Sequence, residues 1–316
     1  MTFPQCGRGE PSPTGGAGGT LVAGRLLGMG RRLRIATRAS PLALWQAERV
    51  AARLGGDCDV VPLDSLGDRV QDRPIHEIGG QGVFVKEVQA AVRRGSADLA
   101  VHSAKDLPSG PSPDGLVLAC VPERADVRDC LVGACLHALP EGATVATGSV
   151  RRRAQLAALR PDLVFVELRG NMATRLGKVP PGGALVAAAA ALQRLGWTDR
   201  IAQLLEPEVM LPQVAQGALA VECRADDVEA LEQLARIEDP VARRQVDAER
   251  AFLARLGGGC DLPVGALATG LGGARLRLEG LLADPIPFRS VAEGDDPAAL
   301  GLSVAEAVLA GATPVR

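Results

Sequence analysis

The chain has 316 residues, 47% of them hydrophobic, and 35 Lys+Arg against 37 Asp+Glu give a formal net charge of -2; this length predicts two or three domains. Near-neutral charge excludes a global attraction to nucleic acid or anionic membrane, and 2% aromatics without tyrosine remove the stacking platforms used for single strands. Seven cysteines with no C-x-x-C pair, and only His76, His102 and His137, argue against a metal site or disulfide framework and fit a reducing cytoplasm.

Residues 1–31 are dominated by Gly, Pro, Ser and Thr and read as a flexible N-terminal tail. Residues 21–29 are weakly apolar, but Arg25 interrupts them and no basic region precedes them as a secretory signal requires. No apolar run reaches membrane-spanning length, the longest being residues 184–192. Residues 33–37 predict a short buried strand, and Ser40-Pro41 then supplies an N-cap with proline in the first turn. Ala43, Ala47, Val50, Ala51 and Leu54 recur at helical spacing, predicting a helix over 42–54. Arg38 falls in the turn between strand and helix.

Residues 63–83 contain Gly67, Pro74, Gly79, Gly80 and Gly82, show little periodicity, and read as a long loop or lid before a helix over 84–93. A strand over 98–102 leads into Ser103-Ala104-Lys105-Asp106-Leu107-Pro108. The pattern recurs with a strand over 144–147, the turn Gly148-Ser149, and a helix over 150–159 that opens on Arg151, Arg152 and Arg153. It recurs again with a strand over 163–168, Arg169-Gly170-Asn171, and a helix through Arg175. A helix over 247–256 runs into Gly257-Gly258-Gly259-Cys260, and a strand over 274–282 with a helix over 303–310 predicts a small C-terminal α+β domain. Strands alternating with helices imply α/β layers with largely parallel pairing.

In such layers, strand carboxyl ends and helix amino ends border the ligand crevice and favour anions. Arg38, Arg151, Arg152, Arg169 and Arg175 at these junctions are guanidinium forks suited to carboxylate or phosphate. Each of them alone also fits an ordinary surface ion pair. Asp106 fits either an acid/base in the crevice or a solvated Lys-Asp turn. Cys260, approached past three glycines, fits either a functional thiol or a turn cysteine. Neither glycine run, 79–82 or 257–259, matches G-x-G-x-x-G after a strand or a P-loop, and Ser103 and Ser149 lack a G-x-S-x-G context. Two readings of the residues stand: an enzyme acting on a polycarboxylate with Asp106 as acid/base and Cys260 as attachment point or nucleophile, and a two-domain binding protein that closes on a small anion.

From Arg34 onward the chain resembles the porphobilinogen deaminase (hydroxymethylbilane synthase) family. The resemblance is carried by Arg34-Ile35-Ala36-Thr37-Arg38-Ala39-Ser40-Pro41-Leu42-Ala43, Gly82-Val83-Phe84-Val85-Lys86-Glu87, and the run from Ala97 to Pro108. Arg151-Arg152-Arg153-Ala154-Gln155, Leu168-Arg169-Gly170-Asn171, Leu211-Pro212-Gln213-Val214-Ala215-Gln216-Gly217 and the Cys260 loop follow in the same order. The resemblance implies two periplasmic-binding-protein-like α/β domains with a hinge, plus a small C-terminal α+β domain. Their limits would be 32–121 with 211–237, 126–207, and 240–316.

It also implies head-to-tail condensation of four porphobilinogen molecules to hydroxymethylbilane, with ammonia released at each step. Cys260 would carry a covalent dipyrromethane cofactor through a thioether, and Asp106, with Lys105, would be catalytic. Asp106 would protonate the leaving amine and stabilise the cationic azafulvene. Asp106, Lys105, Ser103, Thr147, Ser149, Arg151, Arg152, Arg169 and Gly170 would bind the cofactor. Arg38, Ser40, Phe84, Arg175, Arg194 and Gln216 would bind substrate, and residues 63–83 would form a lid. The expected protein is a cytoplasmic monomer without metal, nucleic-acid or membrane partners. Glu77 and Gln81 stand where relatives often carry lysine, Gly148 where serine is usual, and Ala191 where glycine is usual. These departures keep a slow paralogue open as a third reading.

Overall fold

A computed structural model describes residues 31–64, 85–110, 112–113, 115–257, 262–284 and 286–312. The expected tail through residue 30, the lid from residue 65, Phe84 and Cys260 lie outside the described residues, as do Glu77 and Gln81. β1 (Leu33–Arg38) starts the first sheet, with Leu33, Ile35 and Ala36 fully buried. Ser40 caps α1 (Pro41–Arg53) by accepting from the Ala43 N–H at 3.4 Å, and Pro41 occupies the first turn, where a missing N–H costs nothing. β2 (Cys58–Leu63) and β3 (Leu99–Ser103) pair parallel to β1 on its two sides, with α2 (Lys86–Arg93) between them in sequence. β4 (Leu116–Cys120) ends this first pass.

The chain then enters a second sheet through β5 (Asp129–Val132), all of whose residues are buried. β6 (Thr144–Ala146), α3 (Val150–Leu159), β7 (Val164–Val166) and α4 (Met172–Leu176) follow. β8 (Ala184–Ala188), α5 (Ala189–Arg194) and β9 (Ile201–Leu205) complete the order β7-β6-β8-β5-β9. β10 (Leu219–Arg224) returns to the first sheet between β3 and β4, giving β2-β1-β3-β10-β4. Each sheet therefore holds two parallel and two antiparallel pairings, not the largely parallel set that the alternation predicts. The antiparallel members are those around β5 and β10, which arrive across the gap between sheets and need no crossover helix within their own.

α6 (Val228–Ala235) buries Ala230 and Leu234 against the first sheet, and α7 (Pro240–Arg255) leads to the third. That sheet is an antiparallel meander of β11 (Val264–Gly272), β12 (Arg275–Ala283) and β13 (Pro287–Gly294), followed by α8 (Pro297–Ala312). Phe252 of α7 is fully buried at its centre, and Gly280 leaves space for the ring: an added Cβ would lie 2.5 Å from Phe252 Cε2. Periodicity predicts a start for α7 at Asp247, whereas the helix begins seven residues earlier. Asp239 caps it, accepting from Val241 N and Ala242 N at 2.9 and 3.0 Å, with Pro240 in the first turn. Arg38 is the last residue of β1 and not part of a turn. No helix among the described residues is long and apolar enough to cross a membrane.

Residues 211–217 join the three sheets. Pro212 O accepts from Ala266 N of β11 at 3.0 Å, and Gly217 O accepts from Ala125 N at 3.1 Å. Ala215 is the one non-glycine residue with positive φ (59°) among the described residues, and its N–H donates to Glu249 of α7 at 2.6 Å. Glu249 is fully buried, accepts also from Ala268 N at 2.9 Å, and forms a two-pronged pair with Arg124 at 2.7 and 3.0 Å. Removing one member of a buried ion pair costs about 3–5 kcal/mol because the other charge is stranded. Glu249→Ala is therefore expected to lower stability in urea unfolding by that order. Arg255→Ala, which breaks the exposed Arg255–Glu306 pair, is expected to lower it by less than about 1 kcal/mol.

Candidate functional site

Parallel pairing of β1 with β3 brings their carboxyl ends to one edge of the sheet. Arg38 ends β1, Ser40 caps α1, Ser103 ends β3, and a 3-10 turn carries Ala104–Asp106. These ends open on a recess, open to solvent, lined among others by Arg38, Ser40, Gln46, His102, Ser103 and Asp106. Gln46 of α1 is 3% exposed and its Nε2 donates to Ser103 Oγ at 2.9 Å, so Ser103 is held from behind. His102 Nε2 lies 3.2 Å from Glu222 of β10, which also accepts from Gln89 and Ser112 at 2.8 Å each. Among the described residues no hydrogen bond or ion pair engages the Asp106 carboxylate.

The facing wall is built at the start of α3. Ser149 caps the helix, accepting from Arg152 N at 3.4 Å, and its own N–H donates to Thr147 Oγ1 at 3.2 Å. Arg151 and Arg152 then occupy the first turn, where the positive end of the helix disfavours cations. Asp129, fully buried at the head of β5, supplies the compensation. Its Oδ2 accepts from Arg151 Nη2 at 2.7 Å, and its Oδ1 accepts from Arg152 Nε at 3.0 Å and Nη2 at 2.7 Å. Burial alone would raise the Asp129 pKa, but the two guanidiniums outweigh it and hold the carboxyl well below the usual range. Arg151 Nη1 also donates to Leu211 O at 2.6 Å and Arg152 Nη1 to Val186 O at 3.2 Å. Both arginines, expected from sequence as ligand forks, are thus engaged within the wall, 2% and 7% exposed.

Gln216 continues this network. Fully buried, it donates from Nε2 to Asp129 Oδ1 at 3.0 Å and to Val127 O at 2.8 Å, and it accepts from Lys105 Nζ at 3.3 Å. Burial lowers the Lys105 pKa to about 8; Arg152 and Arg151 act in the same sense, while Asp106 and Asp129 oppose it. The wall and the Asp106 turn are thereby one electrostatic unit.

Gly170 has φ 109°, and an added Cβ would lie 2.8 Å from Thr174, so the Arg169-Gly170 turn requires glycine. Arg169 Nε donates to Glu167 at 3.1 Å, and Arg175 Nε donates to Gly170 O at 2.8 Å. Burial lowers the Arg175 pKa first; Arg152, Arg38 and Arg169 push the same way and Asp106 opposes them. The structure therefore gathers Arg38, Lys105, Asp106, Arg152, Arg169 and Arg175. Arg194 stands elsewhere, at the contact between α1 and α5: its Nη2 donates to Gly217 O at 2.6 Å and its guanidinium lies 5.7 Å from the Trp45 ring centroid. Burial lowers its pKa to about 10.

Ala191 is buried in α5, and a Cβ at Gly148 would lie 3.0 Å from Leu168 O. Cys120, Cys130 and Cys223 are buried, and burial pushes Cys223 up to about 11 and Cys130 to about 12, which suppresses the nucleophilic thiolate. No group of three His, Cys, Asp or Glu among the described residues could hold a metal ion. Sequence reasoning misses Asp129 and Gln46. The signal for Asp129 was a lone acid opening an apolar strand; Gln46 carried none, since a glutamine on an amphipathic helix reads as surface.

A family model described as "Porphobilinogen deaminase, dipyromethane cofactor binding domain" matches residues 33–232, and "Porphobilinogen deaminase, C-terminal domain" matches 244–310. A curated porphobilinogen deaminase of Roseiflexus castenholzii is 50% identical over 295 residues, covering 89% of this chain and 97% of its own. One of Brevibacillus brevis is 43% identical over 290 residues, covering 88% and 94%. Among solved structures, a TRAP periplasmic solute binding protein from Desulfovibrio salexigens overlaps 64% of this chain and 73% of its own at a TM-score of 0.36 and 15% identity, a likeness that carries no functional argument.

The Arg194 contact can be read optically, because Trp45 and Trp197 are the two tryptophans. In a Trp197→Phe background, Arg194→Gln is expected to shift Trp45 emission and to cost about 0.5–2 kcal/mol. An unchanged spectrum would show that the guanidinium does not sit on the ring.

Proposed function

The chain belongs to the porphobilinogen deaminase family, and on that premise we propose that its crevice joins four porphobilinogen molecules head to tail into hydroxymethylbilane, releasing ammonia at each step. The observation that carries this reading is the Asp106 carboxylate, which lines the recess with Arg38 and Ser40 and lies within electrostatic reach of Lys105 and Arg175, themselves grouped with Arg152 and Arg169. A porphobilinogen unit brings an acetate and a propionate, so a growing chain accumulates the anions that such a wall accommodates.

The residues present fit a dipyrromethane cofactor in the chemistry of the donor set, which is cationic where carboxylates must rest. Gly265 of β11, five residues beyond Cys260 in sequence, packs against Arg151, an added Cβ lying 3.4 Å from its Cδ. The chain that follows Cys260 therefore reaches the arginine wall. Cys260 would hold the cofactor by a thioether; Lys105, Arg152, Arg169, Ser103, Thr147 and Ser149 would hold its carboxylates, with Arg151 behind them and Gly170 shaping the turn. Bound there, the dipyrromethane supplies the nucleophilic pyrrole carbon to which the first substrate is added.

Arg38, Ser40 and Arg175 orient substrate carboxylates, with Phe84 completing the substrate set, while Arg194, held on Gly217 O and Trp45, and the buried Gln216 support the wall without touching substrate. The Asp106 carboxyl gives its proton to the departing amine, and the carboxylate left behind faces the positive charge that develops on the substrate carbon. Lys105, kept cationic below about pH 8, neutralises an adjacent ligand carboxylate. Three domains, 32–121 with 211–237, 126–207 and 240–316, would close on the chain about the linkers between the first two. A monomer acting in the cytoplasm completes the proposal.

Intact mass of purified protein is expected to exceed the bare chain by two linked pyrrole units, and Cys260→Ser is expected to lose that excess. A bare-chain mass in active wild-type protein would overturn the reading. Asp106→Asn is expected to lower kcat by about 10²–10⁴-fold while retaining the mass excess. Lys105 is protonated below its pKa of about 8 and neutral above it, so kcat/KM is expected to fall as pH rises through that value. Lys105→Arg should move the alkaline limb to higher pH, and an unmoved limb would remove Lys105 from the scheme.

A further inference from the structure

We propose that Asp129 is a positioning residue for the condensation, orienting Arg152 directly and Lys105 through the Gln216 amide. The inference rests on the functional reading of Lys105 and Arg152 given above. Asp129 is fully buried and four donors saturate it, one on Oδ2 and three on Oδ1, so it does not touch a ligand. Its effect must pass through its partners.

The route to Lys105 is directional. Gln216 places its two-proton end between two acceptors, Asp129 Oδ1 and Val127 O, so its oxygen must point the other way, at Lys105 Nζ. Reversing the amide would set its nitrogen against an ammonium and its oxygen against a carboxylate and a carbonyl. The negative charge on Asp129 therefore fixes which end of Gln216 the lysine meets. Lys105 faces Arg151 and Arg152 of α3, Asp129 of β5 and Asp106 of its own turn. Arg151, Arg152, Lys105 and Arg175 carry four positive charges and Asp129 and Asp106 two negative, which leaves an excess of two for incoming carboxylates. The same carboxylate takes Arg152 Nε and Nη2 on Oδ1 and Arg151 Nη2 on Oδ2, so its two oxygens serve two guanidiniums. Asparagine would present an N–H₂ to one of the two guanidiniums.

Lys86, Lys105 and Lys178 are the three lysines of the chain, so the test is a side-chain NMR titration of lysine in the full-length, cofactor-loaded protein. Asp129→Asn and Gln216→Met are compared with wild type; Gln216→Met leaves the Asp129–arginine pairs in place and covers the case in which Asp129→Asn fails to fold. Each folded variant is expected to titrate Lys105 at lower pH than wild type, with Lys86 and Lys178 unmoved. The alkaline limb of kcat/KM should move with it. kcat should fall on the order of tenfold to a hundredfold, with KM changed by less than about threefold. Coincident Lys105 titration in wild type and in Gln216→Met overturns the inference, as does a loss of stability without displacement of the limb. A wild-type mass without dipyrromethane overturns the functional reading separately, and the lysine titration is read independently of turnover.

Discussion

One buried carboxylate, Asp129, sets the terms for the rest of this site. Two guanidiniums in the first turn of α3 and the positive end of that helix would repel one another in a wall from which water is largely excluded. The wall forms because β5 opens with an acid and runs antiparallel between β8 and β9, with Asp129 opposite Ala188 and Leu205. The compensation is incomplete in charge: Asp129 and Asp106 stand among Arg151, Arg152, Lys105 and Arg175, which leaves an appetite for carboxylates that a fully paired cluster would lack. The same bonds turn Arg151 inward and make the arginine pair unequal, one member bracing the segment at Leu211 and the other reaching Val186 O of β8.

A second buried anion, Glu249, holds the same crossing segment from the opposite side. Glu249 receives the Ala215 N–H and Arg124, while Asp129 receives Gln216, the next residue along. Arg124 Nε donates in turn to Gln216 O at 2.9 Å. The left-handed conformation of Ala215 is unfavourable for a residue with a side chain, and these bonds impose it. A short stretch thus fixes the third sheet against the first two while aiming one amide at Lys105. Stability and the placement of Lys105 share these residues, so changes in residues 211–217 act on both.

The sequence states element type well where local chemistry is self-contained. The limits of α3, Val150–Leu159, follow from a capping serine and a glycine turn, and α1 follows from Ser40-Pro41. β11 and β13 escaped because Gly265, Gly270 and Gly272 dilute the alternation in one, and exposed Val291 and Phe288 blur it in the other. The candidate site was legible as a set of residue types on strand ends, and the shared edge of β1 and β3 follows from that. Direction was not legible. Whether an arginine points to ligand or to a buried partner depends on a residue 22 or 23 positions away in sequence, and nothing local to Arg151 or Arg152 encodes it.

The return of β10 between β3 and β4 bears on how the polypeptide is made. Those two strands are complete once residue 120 has left the ribosome, yet their shared partner begins at residue 219. At about 5–20 residues per second the interval lasts roughly 5–20 s. Throughout it, β3 and β4 each present an unsatisfied strand edge, a template for pairing with other chains. The second sheet, whose strands all lie between residues 129 and 205, is finished before the first. Synthesis therefore completes the middle of this protein before its beginning, and nascent chains are most exposed to misassembly during that wait.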